Sequence, residues 1–76
     1  MVVYSIQNQI EDLELGVKIQ KENIKRWQEF ADSLPEGERK DFYLWRIKSG
    51  WQFVVDLEQE ISDLKRLLRN SWNNTL

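Results

Sequence analysis

The sequence predicts an all-α fold: two long helices folded back on each other as an antiparallel, coiled-coil-like hairpin, with two hairpins pairing as a homodimeric four-helix bundle. Three observations predict it. Apolar residues recur at alternating spacings of three and four on both sides of a single break, the pattern of a helix buried along one seam. The break itself, Ser33-Leu34-Pro35-Glu36-Gly37, is the one strong punctuation in the chain. Folded about that break, the two apolar series fall opposite each other.

The first helix is expected over about residues 3–32. Its seam is Val3, Ile6, Ile10, Leu13, Val17, Gln20, Ile24, Trp27, Ala31 and Leu34, apolar at every position but Gln20. The turn is expected over about residues 33–37, where Pro and Gly two residues apart interrupt helical hydrogen bonding. Ser33 followed by Glu36 has the spacing of a capping box for the next helix. The second helix is expected over about residues 38–72, with Tyr43, Ile47, Gly50, Val54, Leu57, Ile61, Leu64 and Leu68 as its seam. Beyond Asn70 the periodicity is lost, and the tail is expected to fray. The whole chain makes one hairpin domain.

Antiparallel pairing gives the seams a register. Ile24 is expected opposite Ile47, Val17 opposite Val54, Ile10 opposite Ile61, Val3 opposite Leu68, Trp27 opposite Tyr43, Leu13 opposite Leu57 and Ile6 opposite Leu64. The numbers of each pair add to a nearly constant value, as an antiparallel register requires. Gln20 then meets Gly50, a long amide facing a residue with no side chain. Beside the seam, Gly16 falls near Phe53, Val2 near Leu67 and Phe30 near the Arg39 stem. Leu13, Val17, Gln20, Ile24, Trp27, Ile47, Gly50, Val54 and Leu57 are the expected hairpin core.

One seam does not absorb all the apolar residues. Leu15, Ile19 and Phe30 lie off it on the first helix, and Phe42, Leu44, Trp45, Trp51, Phe53, Val55, Leu67 and Trp72 on the second. Five of the nine aromatic residues fall between Phe42 and Phe53. A helix apolar on nearly every face must be covered on nearly every face. Two coverings suggest themselves: a second copy of the hairpin, completing a four-helix bundle, and a partner protein docking on Phe42, Trp45, Trp51 and Phe53, since interfaces concentrate aromatic anchors. A ligand pocket between the helices is a third, but no polar groups converge to orient a ligand.

Seventy-six residues make one small domain, and one of that size usually needs a staple. The chain has no cysteine and no histidine. Disulfides, thiolate metal sites and histidine-based acid–base or nucleophilic catalysis are thereby excluded, and association is the staple left. A net charge of −2 makes no electrostatic case for nucleic acid or an anionic membrane. The opening Met1-Val2-Val3-Tyr4-Ser5 lacks the charged and apolar regions of a secretion signal, and no apolar run approaches a membrane span. A complete, cytoplasmic gene product is expected.

The remaining groups offer little chemistry. Carboxylates cluster as Glu11, Asp12 and Glu14 and as Asp56, Glu58, Glu60 and Asp63, and the register brings Glu14 and Glu58 to one side. They could hold a divalent cation, but a solvated face with Lys18 pairing Glu14 four residues on is the simpler expectation. Ser33 and the other serines have no histidine to activate them. Lys18, Lys21, Lys25 and Arg26 come near Arg46 and Lys48, with Trp45 and Trp51 close by; basic and aromatic residues interleaved in this way are used on single-stranded nucleic acid. Lys21 covering the Trp51 ring is the alternative. No catalytic residue, metal or cofactor is expected. The expected function is non-enzymatic binding of a protein partner, with nucleic-acid-associated regulation as the second reading.

Overall fold

In the computed structural model, the backbone is described for residues 2–74 and the side chains for residues 6–70. Two helices fill this span: α1, Val2–Ser33, and α2, Glu38–Asn74. They pack against each other as an antiparallel hairpin about 60 Å long and 14 × 13 Å in section. The second helix continues to Asn74, past the end expected from the loss of periodicity, because extending a helix adds a backbone hydrogen bond per residue and does not require apolar spacing. Val2, Val3 and Trp72 lie outside the described side chains, as do the contacts expected of Val3 with Leu68 and of Val2 with Leu67.

The expected capping box at Ser33 and Glu36 does not form. The Leu34 amide donates to the Ala31 carbonyl at 3.1 Å and closes α1. The Ser33 hydroxyl donates back to the Phe30 carbonyl at 2.7 Å, so it satisfies the end of α1 and does not cap α2. Gly37 sits at φ 152°, where side chains are strained, and its carbonyl accepts the first α2 bond from Asp41 at 3.0 Å. Glu38 and Asp41 then place negative charge in the first turn of α2, which favours that end of the helix dipole. Along the outer faces, Gln7, Gln28, Gln52 and Gln59 each donate to a carboxylate four residues on, local pairs that support a helix irrespective of packing.

The apolar seam is the core. Ile6, Ile10, Val17, Ile24 and Ala31 of α1 and Ile47, Val54 and Ile61 of α2 are buried, with Leu13, Trp27, Tyr43, Leu57, Leu64 and Leu68 packed against them. Gly50 is buried as well and Gln20 half-buried. The nine residues expected to form the hairpin core all lie on this strip, together with the rest of the described seam.

The cross-helix contacts differ from the expected register. The atoms nearest to a Cβ built on Gly50 belong to Ile24, at 3.0 and 3.2 Å, and to Trp27, at 3.2 Å, rather than to Gln20. Gly16 faces Leu57, at 3.9 Å, with no Phe53 atom in van der Waals range of its Cβ position. Phe30 meets Tyr43, ring centroids 4.9 Å apart. Each contact joins an α2 residue to an α1 residue nearer the turn than the constant-value pairing assigned. The physical reason lies in side-chain direction. Every side chain leans toward its own helix N-terminus, so α2 side chains reach toward the turn and α1 side chains reach away from it.

Candidate interaction surface

The two flanks of the seam are built differently. One flank carries Gln7, Glu14, Lys21 and Gln28 from α1 and Leu44, Trp51, Glu58 and Lys65 from α2, each series at seven-residue spacing. Long side chains span the helices there: Lys21 reaches Glu58 at 3.6 Å and Lys65 reaches Glu14 at 3.4 Å. Glu14, Glu58 and Lys65 line a groove of about 490 Å³ with Val17, Ile61, Ser62 and Arg69. Glu14 and Glu58 do come to one side, as expected, but each is neutralised by a lysine from the opposite helix. Lys18 is not the partner of Glu14. Among the described residues, no three acidic side chains gather as a metal site.

The opposite flank carries Gln9, Gly16, Asn23 and Phe30 from α1 and Arg46, Phe53, Glu60 and Leu67 from α2. Gly16 and Asn23 are too short to cover anything. From Ile10 onward the α1 seam alternates: Ile10, Val17, Ile24 and Ala31 are buried, whereas Leu13, Gln20, Trp27 and Leu34 are half-buried; Ile6, which precedes the latter series, is buried. On α2 Ile47, Val54 and Ile61 are buried while Tyr43, Leu57 and Leu64 are half-buried, with Gly50 buried and Leu68 half-buried against this pattern. The half-buried set neighbours the short-chain flank on the helix surface. One side of the hairpin is thus bridged by ion pairs that edge a groove, and the other is an unbridged strip edged by Phe53, 52% exposed, and Leu67.

The four aromatics singled out in the sequence do not form one patch. Phe42 and Trp45 stand together, ring centroids 6.3 Å apart. Phe42 also packs edge-on to Tyr43 at 5.6 Å, and Tyr43 to Phe30. A chain of rings therefore runs from the seam outward to Trp45, which is 64% exposed. Trp51 belongs to the ion-paired flank, lining a groove with Lys21, Ile24, Lys25 and Gln28, and Phe53 belongs to the unbridged one. The cation over an aromatic face is Arg46 on Trp27, at 4.5 Å; Lys21 goes to Glu58 instead of covering Trp51. These ion pairs were missed in the sequence, although a signal was there. Glu14 and Lys21 are seven apart, as are Glu58 and Lys65, and antiparallel pairing sets each acid against a base.

Comparison with protein-family models, with curated proteins and with solved structures finds no match to this chain. Among the described residues, no helix is long and apolar enough to cross a membrane.

Proposed function

We propose that the protein is a small non-enzymatic interaction module: a self-associating helical hairpin that presents an aromatic helical surface to another protein, as an adaptor, an assembly element or an inhibitor of a larger complex. The observation that supports this reading is the chain of rings Phe30, Tyr43, Phe42 and Trp45. Tyr43 anchors it in the seam, which holds the outer rings in place, and Trp45 stands at its exposed end. A tryptophan side chain buries 150–250 Å² when covered, on the order of several kcal/mol at about 25 cal/mol per Å². A pre-positioned ring of that size on the outer face, where the hairpin cannot cover it, is suited to act as a binding anchor.

The test begins with a partner captured from the native host and continues with Trp45→Ala, Lys21→Ala and Lys25→Ala. Trp45→Ala is expected to weaken binding about thirtyfold, as loss of an interface anchor worth about 2 kcal/mol does. Normal binding by Trp45→Ala, with salt-sensitive loss in the lysine variants, would replace this reading with the nucleic-acid one. Against that alternative, Lys21 and Lys65 are already engaged by carboxylates.

A further inference from the structure

We infer that the unbridged strip edged by Phe53 is the face on which a second copy of this chain docks, antiparallel, about a two-fold axis passing beside Phe53, with Arg46 of each copy facing Glu60 of the other. This inference rests on the self-association in the proposed function and names its face and geometry.

The first argument is area. The chain exposes 6088 Å², whereas a globular monomer of its 9.2 kDa exposes about 4,900 Å². The surplus is roughly 1,200 Å² per copy. Two copies covering that surplus would bury roughly 2,300 Å² in all, the size of an obligate dimer interface. Exposed apolar side chains edge both flanks, Leu44 and Trp51 on one and Phe30, Phe53 and Leu67 on the other, but the flanks differ in how they are bridged. The flank bearing Lys21–Glu58 and Lys65–Glu14 is bridged and charged, so a second hairpin docked there would have to desolvate both ion pairs. The Phe53 flank has Gly16 and Asn23 on α1 and leaves Leu13, Leu57 and Leu64 half-buried, with Arg46 over Trp27 toward the turn, so the side chains of a second copy can approach the seam between Leu13 and Leu57.

The second argument is charge, and it fixes the direction. Along this flank Arg46 and Glu60 stand symmetrically about Phe53, seven residues to either side. The Trp27–Arg46 and Gly16–Leu57 contacts set Phe53 level with the stretch of α1 midway between Gly16 and Asn23. A two-fold axis at that level, perpendicular to the hairpin, therefore exchanges Arg46 with Glu60 on α2 and Gly16 with Asn23 on α1. Both charges are paired, and Phe53 meets its own copy at the centre. The other two-fold arrangement, with both turns at one end, puts α1 of one copy across from α2 of the other. Arg46 then faces the Asn23–Phe30 stretch and Glu60 the Gln9–Gly16 stretch, where the flank offers no charge. Electrostatic complementarity selects the antiparallel arrangement.

The experiment uses the full chain and two charge reversals. Wild type is expected to sediment as a dimer. Arg46→Glu alone and Glu60→Arg alone each set like charges opposite one another at two symmetry-related places, and each dimer is expected to weaken at least about tenfold, since like charges set opposite each other oppose association. Mixed in equal amounts, the two variants should form a heterodimer, because both contacts then join opposite charges. Loss of Arg46 stacking on Trp27 cannot mimic this, as mixing does not restore an intrachain contact. As a second measurement, the chain has no cysteine of its own, so Phe53→Cys should be joined rapidly to its copy by a short bis-maleimide, and Trp45→Cys should not. A wild-type dimer that is indifferent to both reversals, or that cross-links through Trp45→Cys and not Phe53→Cys, overturns this geometry and leaves self-association standing on another face. A monomer at all accessible concentrations overturns both.

Discussion

Gly50 lies so close to Ile24 across the hairpin that a Cβ placed on it would come within 3.0 Å of the Ile24 Cγ1 and 3.2 Å of its Cδ1. Ile24 is buried and β-branched, so it has little freedom to turn away, and the Trp27 ring closes the other side at 3.2 Å. Any side chain at position 50 must therefore displace the seam. Gly50→Leu is expected to destabilise by roughly 1–3 kcal/mol in urea unfolding. Ile24→Ala should recover part of that loss in a double-mutant cycle, since it empties the space needed, whereas Gln20→Ala should be additive with it. Recovery through Gln20 and not Ile24 would restore the pairing expected from spacing.

Gly16 has the opposite environment. A Cβ there meets only the Leu57 Cδ1, at an ordinary 3.9 Å, in the middle of α1. Glycine in a helix interior is less favourable than alanine by about 0.8–1.0 kcal/mol. Gly16→Ala should raise stability by roughly that amount. Gly37→Ala should lower it, although its Cβ position is open, because a φ of 152° strains any side chain. Thermal or urea melts of the two variants in parallel give the comparison; equal effects of the same sign would contradict it.

The seam was legible because burial between two helices requires apolar spacing, and every described seam position turned out buried or half-buried. The contact register was less so. Pairing residue numbers treats side chains as pointing straight across, and the lean of each toward its own N-terminus moves the contacts along, as at Gly50 and Gly16. Among the candidate binding residues, exclusion from the seam sufficed to place Phe42, Trp45, Trp51 and Phe53 on the surface. Helical spacing already separates Phe42 and Trp45 from Trp51, and the structure adds that Phe53 stands on the flank opposite Trp51. The bridging of one flank depends on which long side chains reach each other, and Glu14 found Lys65 across the hairpin rather than Lys18 on its own helix.

Those ion pairs hold partners together without adding much stability. The side chains of Glu14, Lys21, Glu58 and Lys65 are about half exposed, where such pairs contribute roughly 0–1 kcal/mol. Glu14→Gln should cost less than about 1 kcal/mol at low salt, and the difference should fade at about 1 M salt, where screening acts within roughly 3 Å. Coupling measured by double-mutant cycle should appear between Glu14 and Lys65 and be absent between Glu14 and Lys18. Coupling of the second kind alone would mean that the local helical pair, not the cross-helix pair, dominates in solution.

The sharpest contrast in stability should lie between the seam and the outer face of α2. Ile10 and Val54 are 2% and 1% exposed, so truncation leaves a cavity that two rigid helices cannot close. Ile10→Ala should cost about 2–5 kcal/mol. Val54→Ala removes less volume and should cost roughly 1.5–3 kcal/mol, from about 0.8 kcal/mol per buried carbon plus the cavity. Trp45 is the larger residue, yet its ring touches the rest of the hairpin only through Phe42 among aromatic contacts. Trp45→Ala should therefore stay within about 0.5 kcal/mol of the parent. All three are to be measured by urea unfolding at one fixed protein concentration, because association would otherwise shift the midpoints. Small losses at Ile10 and Val54 would mean that the seam does not carry the fold. A loss of 2 kcal/mol or more at Trp45, by the scale of a buried anchor, would mean that its ring is covered within the assembly; the partner-binding surface would then have to be sought around Trp51 on the ion-paired flank.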